Sequence, residues 1–308
     1  MNERTVTVTS TIEPHVATLD PHVAAGYARL NEILAELGGV VVGYSGGIDS
    51  TLLAKVAHDA LGERAVIVTG DSEAFPQGEV EAALEVAAAL GFSVARVRTH
   101  EMHNERFRIN NPDRCYHCKT ELFGVLHAVA QERGIPWVAD GSNADDVHDH
   151  RPGMRAAEEI GVRSPLREAG LRKSDIRALA RYLGVPNWDK PSFACLSSRF
   201  PYGTEITHEL LQRVDRCEQA LRELGFRQFR VRHHDTVCRI EVEAEDIPRV
   251  VAMREEITER FRDAGYLYVT VDLEGFRSGK MNDVLRPSQT ETRLEPVTFQ
   301  RSVAKAGA

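Results

Sequence analysis

Three of the five cysteines in this 308-residue chain stand in surroundings that suit chemistry. Cys115-Tyr116-His117-Cys118 is a C-x-x-C, and Cys195 lies in the run Lys190-Pro-Ser-Phe-Ala-Cys-Leu-Ser-Ser-Arg199. The other two, Cys217 in a stretch with helical apolar spacing and Cys238 in an alternating one, read as small buried hydrophobes. Three readings compete for the C-x-x-C. A zinc site needs four ligands, and with no second pair it must recruit His117 or Cys195. A deaminase reading draws on His103-Asn104-Glu105, but Pro112 is not adjacent to Cys115 and the H-x-E sits very close to the cysteines. The third joins Cys115, Cys118 and Cys195 as thiolates on one iron–sulfur cluster, leaving one iron open for an exogenous ligand.

A second constellation is Ser45-Gly46-Gly47-Ile48-Asp49-Ser50, where an apolar run meets a helical pattern. Glycines let a backbone approach an anion closely, and the free amides at a helix start bind phosphate. Ser45 and Ser50 add hydroxyl donors. Asp49 would repel a phosphate directly, so its place there suits a Mg²⁺ ion bridging the two anions. Neither G-x-x-x-x-G-K-S/T nor G-x-G-x-x-G is present, which counts against a P-loop that delivers a γ-phosphate and against a dinucleotide site.

The elements that must position these motifs alternate. Helical spacing runs from Val23 to Leu37, followed by a continuous apolar strand at Val40–Tyr44 and a helix from Asp49 to Leu61. Strands at Ala65–Thr69, Ser93–Arg98 and Trp137–Asp140 alternate with helices at Gln77–Leu90 and Thr120–Arg133. That order predicts an α/β fold with a doubly wound parallel sheet, whose ligands bind beyond the carboxyl ends of the strands. After Pro201-Tyr202-Gly203 the pattern becomes α-β-β-α-β: a helix at Thr207–Leu224, strands from Phe229 and Val237, a helix at Asp246–Arg262 and a strand at Leu267–Leu273. This gives a loose arm over residues 1–22, a nucleotide-binding domain over 23–200, a small α+β domain over 201–286 and a disordered tail over 287–308.

Composition narrows the class. Hydrophobic residues at 42% and charged ones at 27% are ordinary for a globular protein, while a formal charge of −8 counts against coating nucleic acid. No apolar run approaches the ~20 residues a membrane span needs. The polar start MNERTVTVTSTIEP is unlike a signal peptide, so a cytoplasmic location is expected.

The SGGIDS run resembles the signature of the PP-loop ATP pyrophosphatases, which cleave ATP between the α and β phosphates and adenylate an oxygen of their substrate. By that resemblance Ser45, Gly46 and Gly47 cradle pyrophosphate with Ser50 beside them. Asp49 helps hold Mg²⁺, and Thr69 and Gly141 border the nucleotide. An ordered series of longer motifs is similar to the LarE-type sulfur transferases: Asn111-Pro-Asp-Arg-Cys-Tyr-His-Cys-Lys-Thr-Glu-Leu-Phe123, Asp140-Gly-Ser-Asn-Ala-Asp-Asp146, Asp149-His-Arg-Pro-Gly-Met-Arg-Ala156, Ser164-Pro-Leu166 and the Cys195 run. The match extends from about residue 23 to 285.

What that family implies is an enzyme acting on a small nucleotide, pyridinium-3,5-biscarboxylic acid mononucleotide, whose carboxylates become thiocarboxylates in nickel-pincer cofactor synthesis. ATP and Mg²⁺ serve the adenylation. The sulfur comes either from Cys195 itself, leaving dehydroalanine, or through a 4Fe-4S cluster on Cys115, Cys118 and Cys195, with a sulfur-donor protein behind it. Arg199 beside Cys195 is placed to lower the thiolate pKa or hold a phosphate, and Ser198 to hydrogen-bond substrate. Arg230, Arg232, Glu218 and Glu241 resemble family positions that contact substrate phosphate or metal, against which alternating charges on a hairpin also suit a solvated face. The small second domain suits a homo-oligomer. Two other readings are a PP-loop tRNA thiolase, which would want a basic RNA-binding face, and a non-catalytic metal module, which leaves SGGIDS unexplained.

Overall fold

The valine run forms strand β1 (Val40–Gly43), which joins β2 (Ala65–Asp71), β3 (Val94–Arg98) and β4 (Trp137–Ala139) in one sheet of order β3-β2-β1-β4. Every pairing is parallel, with Val41 level with Val66 and Val138. The computed structural model describes residues 19–148, 152–191 and 194–285. The arm up to residue 18, the Asp149-His-Arg portion of one motif, Ser192-Phe193 of another and the expected disordered tail lie outside the described residues.

Among the described residues eight helices accompany the sheet: α1 (Pro21–Leu37), α2 (Ile48–Leu61), α3 (Glu79–Ala89), α4 (Glu105–Arg108), α5 (Arg114–Arg133), α6 (Pro152–Ile160), α7 (Pro165–Glu168) and α8 (Lys173–Tyr182). They cover both faces. Val40 and Val42 point into a core with Leu30, Leu34, Leu52, Val56 and Ile176, whereas Val41 meets Phe123, Leu126 and Ala130 of α5. A strand buried on both faces has no polar side to show, which is why β1 reads as an unbroken apolar run. The chain steps outward from β1 to β3 and then returns to place β4 on the other flank of β1, so strand order reverses beyond the ends of β1 and β4.

Two helix starts lie ahead of the apolar spacing. α1 begins at Pro21, because Asp20 accepts from the His22 N–H at 2.8 Å and proline suits the first turn. α5 begins at Arg114 and not at Thr120, so Cys115 and Cys118 stand on its first turns. α6 and α8 carry no counterpart among the expected elements.

A second sheet has the order β5-β6-β7, from β5 (Phe229–His234), β6 (Val237–Val242) and β7 (Tyr268–Val271). β5 and β6 are antiparallel and β6 and β7 parallel, the latter joined through α10 (Ile247–Ala252) and α11 (Arg254–Asp263). The single helix expected over Asp246–Arg262 is thus two, broken where Met253 leaves helical geometry at φ −95° and ψ 16°. Helix α9 (His208–Glu223) packs Leu211, Val214, Cys217 and Leu221 onto Phe229, Val231 and Ile240, in a core that also takes in Phe107, Leu196 and Phe200. The described residues up to Phe276 form one compact unit, and those from Arg277 to Leu285 belong to a second, with a short 3₁₀ turn at Lys280–Leu285. Among the described residues no helix is long and apolar enough to cross a membrane.

Candidate active site

The phosphate loop is built by hydrogen bonds that use up its carbonyls and hydroxyls. Ser45 N–H donates to Ser50 Oγ at 3.2 Å, and the Gly47 carbonyl accepts from Ser50 Oγ at 3.0 Å and Thr51 Oγ1 at 2.9 Å. Asn187 Nδ2 donates to the Gly46 carbonyl at 3.0 Å. Gly46 has φ 71°, and a Cβ there would stand 2.5 Å from Ala83 Cβ, so the position demands glycine on both counts. A Cβ on Gly141, past the end of β4, would come within 2.9 Å of Ser50 N, so that turn lies directly on the start of α2.

A cleft of about 160 Å³ opens here, walled by Ser45, Gly47 and Asp49 on one side and by Phe75, Pro76 and Ala194 on another. Gly46, Ser50 and Gly141 back this wall, while Thr69 is buried in β2 opposite Arg96. The first-turn amides of a helix have no partners within it, and those of α2 begin at this wall. Two lysines given no role in the sequence reading, Lys173 and Lys190, also line it. Lys173, the first residue of α8, bonds Asp49 Oδ2, and Lys190 pairs with Glu79 at 2.8 Å. Nothing local marks Lys173, which is brought to Asp49 from 124 residues along the chain.

Asp49 Oδ1 is buried without a hydrogen-bond partner among the described residues. One bare carboxylate oxygen beside free helix amides fits a Mg²⁺ ion that keeps most of its shell as water and phosphate.

Beyond Ala194 lies the thiol region. Cys195 precedes a 3₁₀ turn (Leu196–Arg199), and Arg114 of α5 reaches under it. The Arg114 guanidinium bonds Asn110 Oδ1, donates to the Ser197 carbonyl at 2.8 Å and approaches Cys115 Sγ at 3.9 Å. Burial opposes its charge, yet Cys195 and then Cys115 hold its pKa above the usual value. Burial pushes the Cys118 thiol well up, with Cys195 adding to it. Cys115, Cys118 and Cys195 therefore sense one electrostatic neighbourhood. Among the described residues no three His, Cys, Asp or Glu side chains are gathered closely enough to hold a metal ion. Thiols are nonetheless the donor type that iron–sulfur clusters take, and these three come from two segments beside a guanidinium.

Arg199 occupies a different place from a phosphate ligand. It is 0% exposed, and its Nε and Nη2 each bond Glu218 at 2.7 Å. Nη1 holds the carbonyls of Ala194 and Cys195 at 2.9 and 3.1 Å and Ser198 Oγ at 2.8 Å. Burial would raise the Glu218 carboxyl, but Arg199 holds it below the usual carboxylate range. Ser198 likewise gives its hydroxyl to the Cys195 carbonyl at 2.8 Å.

Nor is the hairpin a solvated face. Arg230 and Arg232 are 5% and 8% exposed, and Glu241 is fully buried. Arg232 donates to Glu241 at 2.8 and 3.0 Å and to the Ser198 carbonyl at 2.6 Å. Arg230 stacks over Phe276 at 4.9 Å, and burial followed by repulsion from Arg199 pushes its pKa down. The structure thus brings Glu218, Arg230, Arg232 and Glu241 together behind the Cys195 turn.

Two kinds of relative match this chain in sequence. The family model described as NAD synthase matches residues 28–113, the stretch carrying the phosphate loop. Pyridinium-3,5-bisthiocarboxylic acid mononucleotide synthase of Lactiplantibacillus plantarum is 40% identical over 271 residues, covering 88% of this chain and 98% of that one. The chain belongs to the LarE-type family of ATP-dependent sulfur transferases. An uncharacterized protein of Synechocystis sp. is 47% identical over 83% of this chain and 97% of its own length. A glutamine-hydrolyzing GMP synthase component of Archaeoglobus fulgidus is 28% identical over 48% of the chain and 52% of its own length. LarE-type membership thus extends over both sheets, whereas likeness to the GMP synthase covers about half of the chain.

Proposed function

We propose that this protein adenylates the carboxylates of pyridinium-3,5-biscarboxylic acid mononucleotide and converts them to thiocarboxylates, in the cytoplasm, as a step toward the nickel-pincer nucleotide. The observation that supports it most is the cleft itself: one wall is the phosphate loop, and another is Ala194, next to Cys195. The cleft that would activate a carboxylate thereby ends one residue from a thiol.

In the first step a substrate carboxylate oxygen attacks the α-phosphorus of ATP, and pyrophosphate leaves. The α2 amides and Gly46-Gly47 backbone take the departing diphosphate, and Lys173, held beside Asp49, adds positive charge next to it. Asp49 would hold a Mg²⁺ ion, which when bound supplies further charge neutralisation for the phosphates. Lys190 and Glu79 flank the same anion, and the turn at Gly141 and the end of β2 near Thr69 border the rest of the nucleotide. In the second step a sulfur nucleophile attacks the acyl carbon and AMP departs.

Cys115, Cys118 and Cys195 would hold a 4Fe-4S cluster, which when bound supplies an open iron for an additional sulfide. A sulfur-donor protein would replenish that sulfide. Arg199 and Ser198 act on Cys195 by fixing its backbone, and Arg232, through the Ser198 carbonyl, braces the same turn. Arg230 with Arg232 supplies positive charge for the substrate phosphate, and Glu218 and Glu241 balance them. The small α+β domain that begins at residue 201 covers substrate and mediates self-association, and RNA plays no part.

The test is an anaerobic preparation assayed with ATP and the dicarboxylate nucleotide. Substrate-dependent pyrophosphate and AMP with a mass gain for each oxygen replaced by sulfur are expected, and their absence sinks the reading. Iron with an intact Cys195 after turnover favours the cluster, and dehydroalanine at residue 195 without iron favours sacrifice of the cysteine.

A further inference from the structure

Residues 72–78, between β2 and α3, form part of the cleft wall yet are fastened largely from outside it. Phe75 and Pro76 face the cleft. The Ala74 carbonyl accepts from the Leu196 N–H at 2.8 Å, which ties the segment to the residue after Cys195. The Gln77 N–H donates to both carboxylate oxygens of Asp215, in the middle of α9, at 3.3 and 3.2 Å. Ser72 Oγ accepts from the Ala74 N–H at 2.9 Å and donates to the buried Glu101. Glu79, which opens α3, holds Lys190 at 2.8 Å, and Arg222 of α9 lies 3.7 Å from its other oxygen. One short stretch therefore touches the nucleotide cleft, the thiol turn and α9.

None of these bonds is required for the phosphate loop to form, since that loop is closed by Ser45, Ser50, Thr51 and Asn187. What they fix is the position of one wall relative to the Cys195 turn. Sulfur attack on a mixed anhydride needs the reacting atoms about 3–3.5 Å apart and aligned. A mixed anhydride is also open to water. If the turn sits wrongly, water adds to the acyl carbon, AMP leaves, the carboxylate returns unchanged and one ATP is lost.

We propose that residues 72–79 act as a strap that registers the Cys195 turn on the adenylated carboxylate, with Asp215 as the positioning residue that anchors it. The proposal rests on the adenylation and sulfur-transfer reading above. Asp215 reaches the site through the Gln77 amide, at a remove from both the phosphate loop and the thiols.

The full chain carrying Asp215→Ala tests it against Asp215→Asn, which keeps an amide oxygen able to accept from Gln77. Pyrophosphate, AMP and thiocarboxylate are counted in one reaction. For Asp215→Ala, substrate-dependent pyrophosphate release should persist while thiocarboxylate formed per AMP falls roughly tenfold or more, and Asp215→Asn should restore most of the ratio. Leu196→Pro provides an independent route, because Cys195 is extended at ψ 151° as a residue before proline must be, and the change deletes the N–H that reaches Ala74. The same split is expected. An unchanged ratio in Asp215→Ala and Leu196→Pro, or an equal fall of pyrophosphate and thiocarboxylate in both, overturns the strap. A wild-type protein that releases no pyrophosphate with this substrate overturns the functional reading instead.

Discussion

Lys173 Nζ sits on Asp49 Oδ2, so the carboxylate at the start of α2 has a cation beside it before any nucleotide enters. Its other oxygen has no partner among the described residues. A site arranged in this way holds its charges in balance when empty and can release a lysine toward phosphate when a divalent ion replaces it on the aspartate.

Lys173→Met is therefore expected to act in two directions. With a competing ammonium gone, Mn²⁺ in place of Mg²⁺ should bind Asp49 more tightly, read by electron paramagnetic resonance without substrate. Pyrophosphate formation should nevertheless fall by about 10²-fold, as for loss of a preorganised charge at a transition state. A variant with weaker Mn²⁺ binding and normal turnover contradicts this assignment.

Gly46→Ala should abolish ATP cleavage while leaving the protein folded. The added methyl meets Ala83 Cβ at 2.5 Å in a left-handed backbone, so the loop must open to accept it. Strain of this kind costs about 1–3 kcal/mol and should appear as a modest drop in melting temperature. Ala83→Gly in the same chain should not restore activity, because φ stays at 71°.

Glu218→Gln leaves the Arg199 guanidinium buried beside a neutral amide. Loss of one partner from a buried pair costs about 3–5 kcal/mol, which urea unfolding would register. The affinity for the substrate phosphate should change little through Arg199 itself, since that side chain is 0% exposed. A stability change under ~1 kcal/mol would mean that the pair is not buried in solution.

The core cysteines predict a pH dependence. Burial pushes Cys238 up to about 12, and Cys217 higher still, its first cause again burial. With folded values above the unfolded ~8.5, their contribution is complete below that pH and is lost as pH rises from there toward the folded values. Unfolding free energy should thus decline above about pH 9, and Cys238→Ala should flatten the slope. At neutral pH iodoacetamide should reach the exposed Cys115 and spare Cys217 and Cys238 until the chain unfolds.

Much of this was legible in the residues. Val40–Val42 and the glycines behind them announced a doubly buried strand meeting a phosphate loop, because burial on both faces and close anion approach each leave a local mark. Lys173 left none, and Lys190, though it opens the Cys195 run, carried no sign of the cleft, since a lysine's use depends on what the topology carries to it. The start of α5 was hidden by the polar run from Arg114 to Lys119, where no apolar period marks the first turns. Alternation on β5 was misleading in another way: Arg230 and Arg232 alternate with apolar residues as a solvated edge would, yet Glu218 and Glu241 arrive from α9 and β6 to bury them.

The backbone of the Cys195 turn is gripped from behind by Arg199 and Arg232 through carbonyl oxygens, with no call on the sulfur atom. Its shape is accordingly indifferent to what happens at that atom. On the reading proposed above, a molecule whose Cys195 sulfur is oxidised or replaced by alanine keeps an intact mould, still able to load nucleotide and activate substrate. Such copies would then compete with working ones for the same precursor, so a cell depending on this chemistry would gain by removing them.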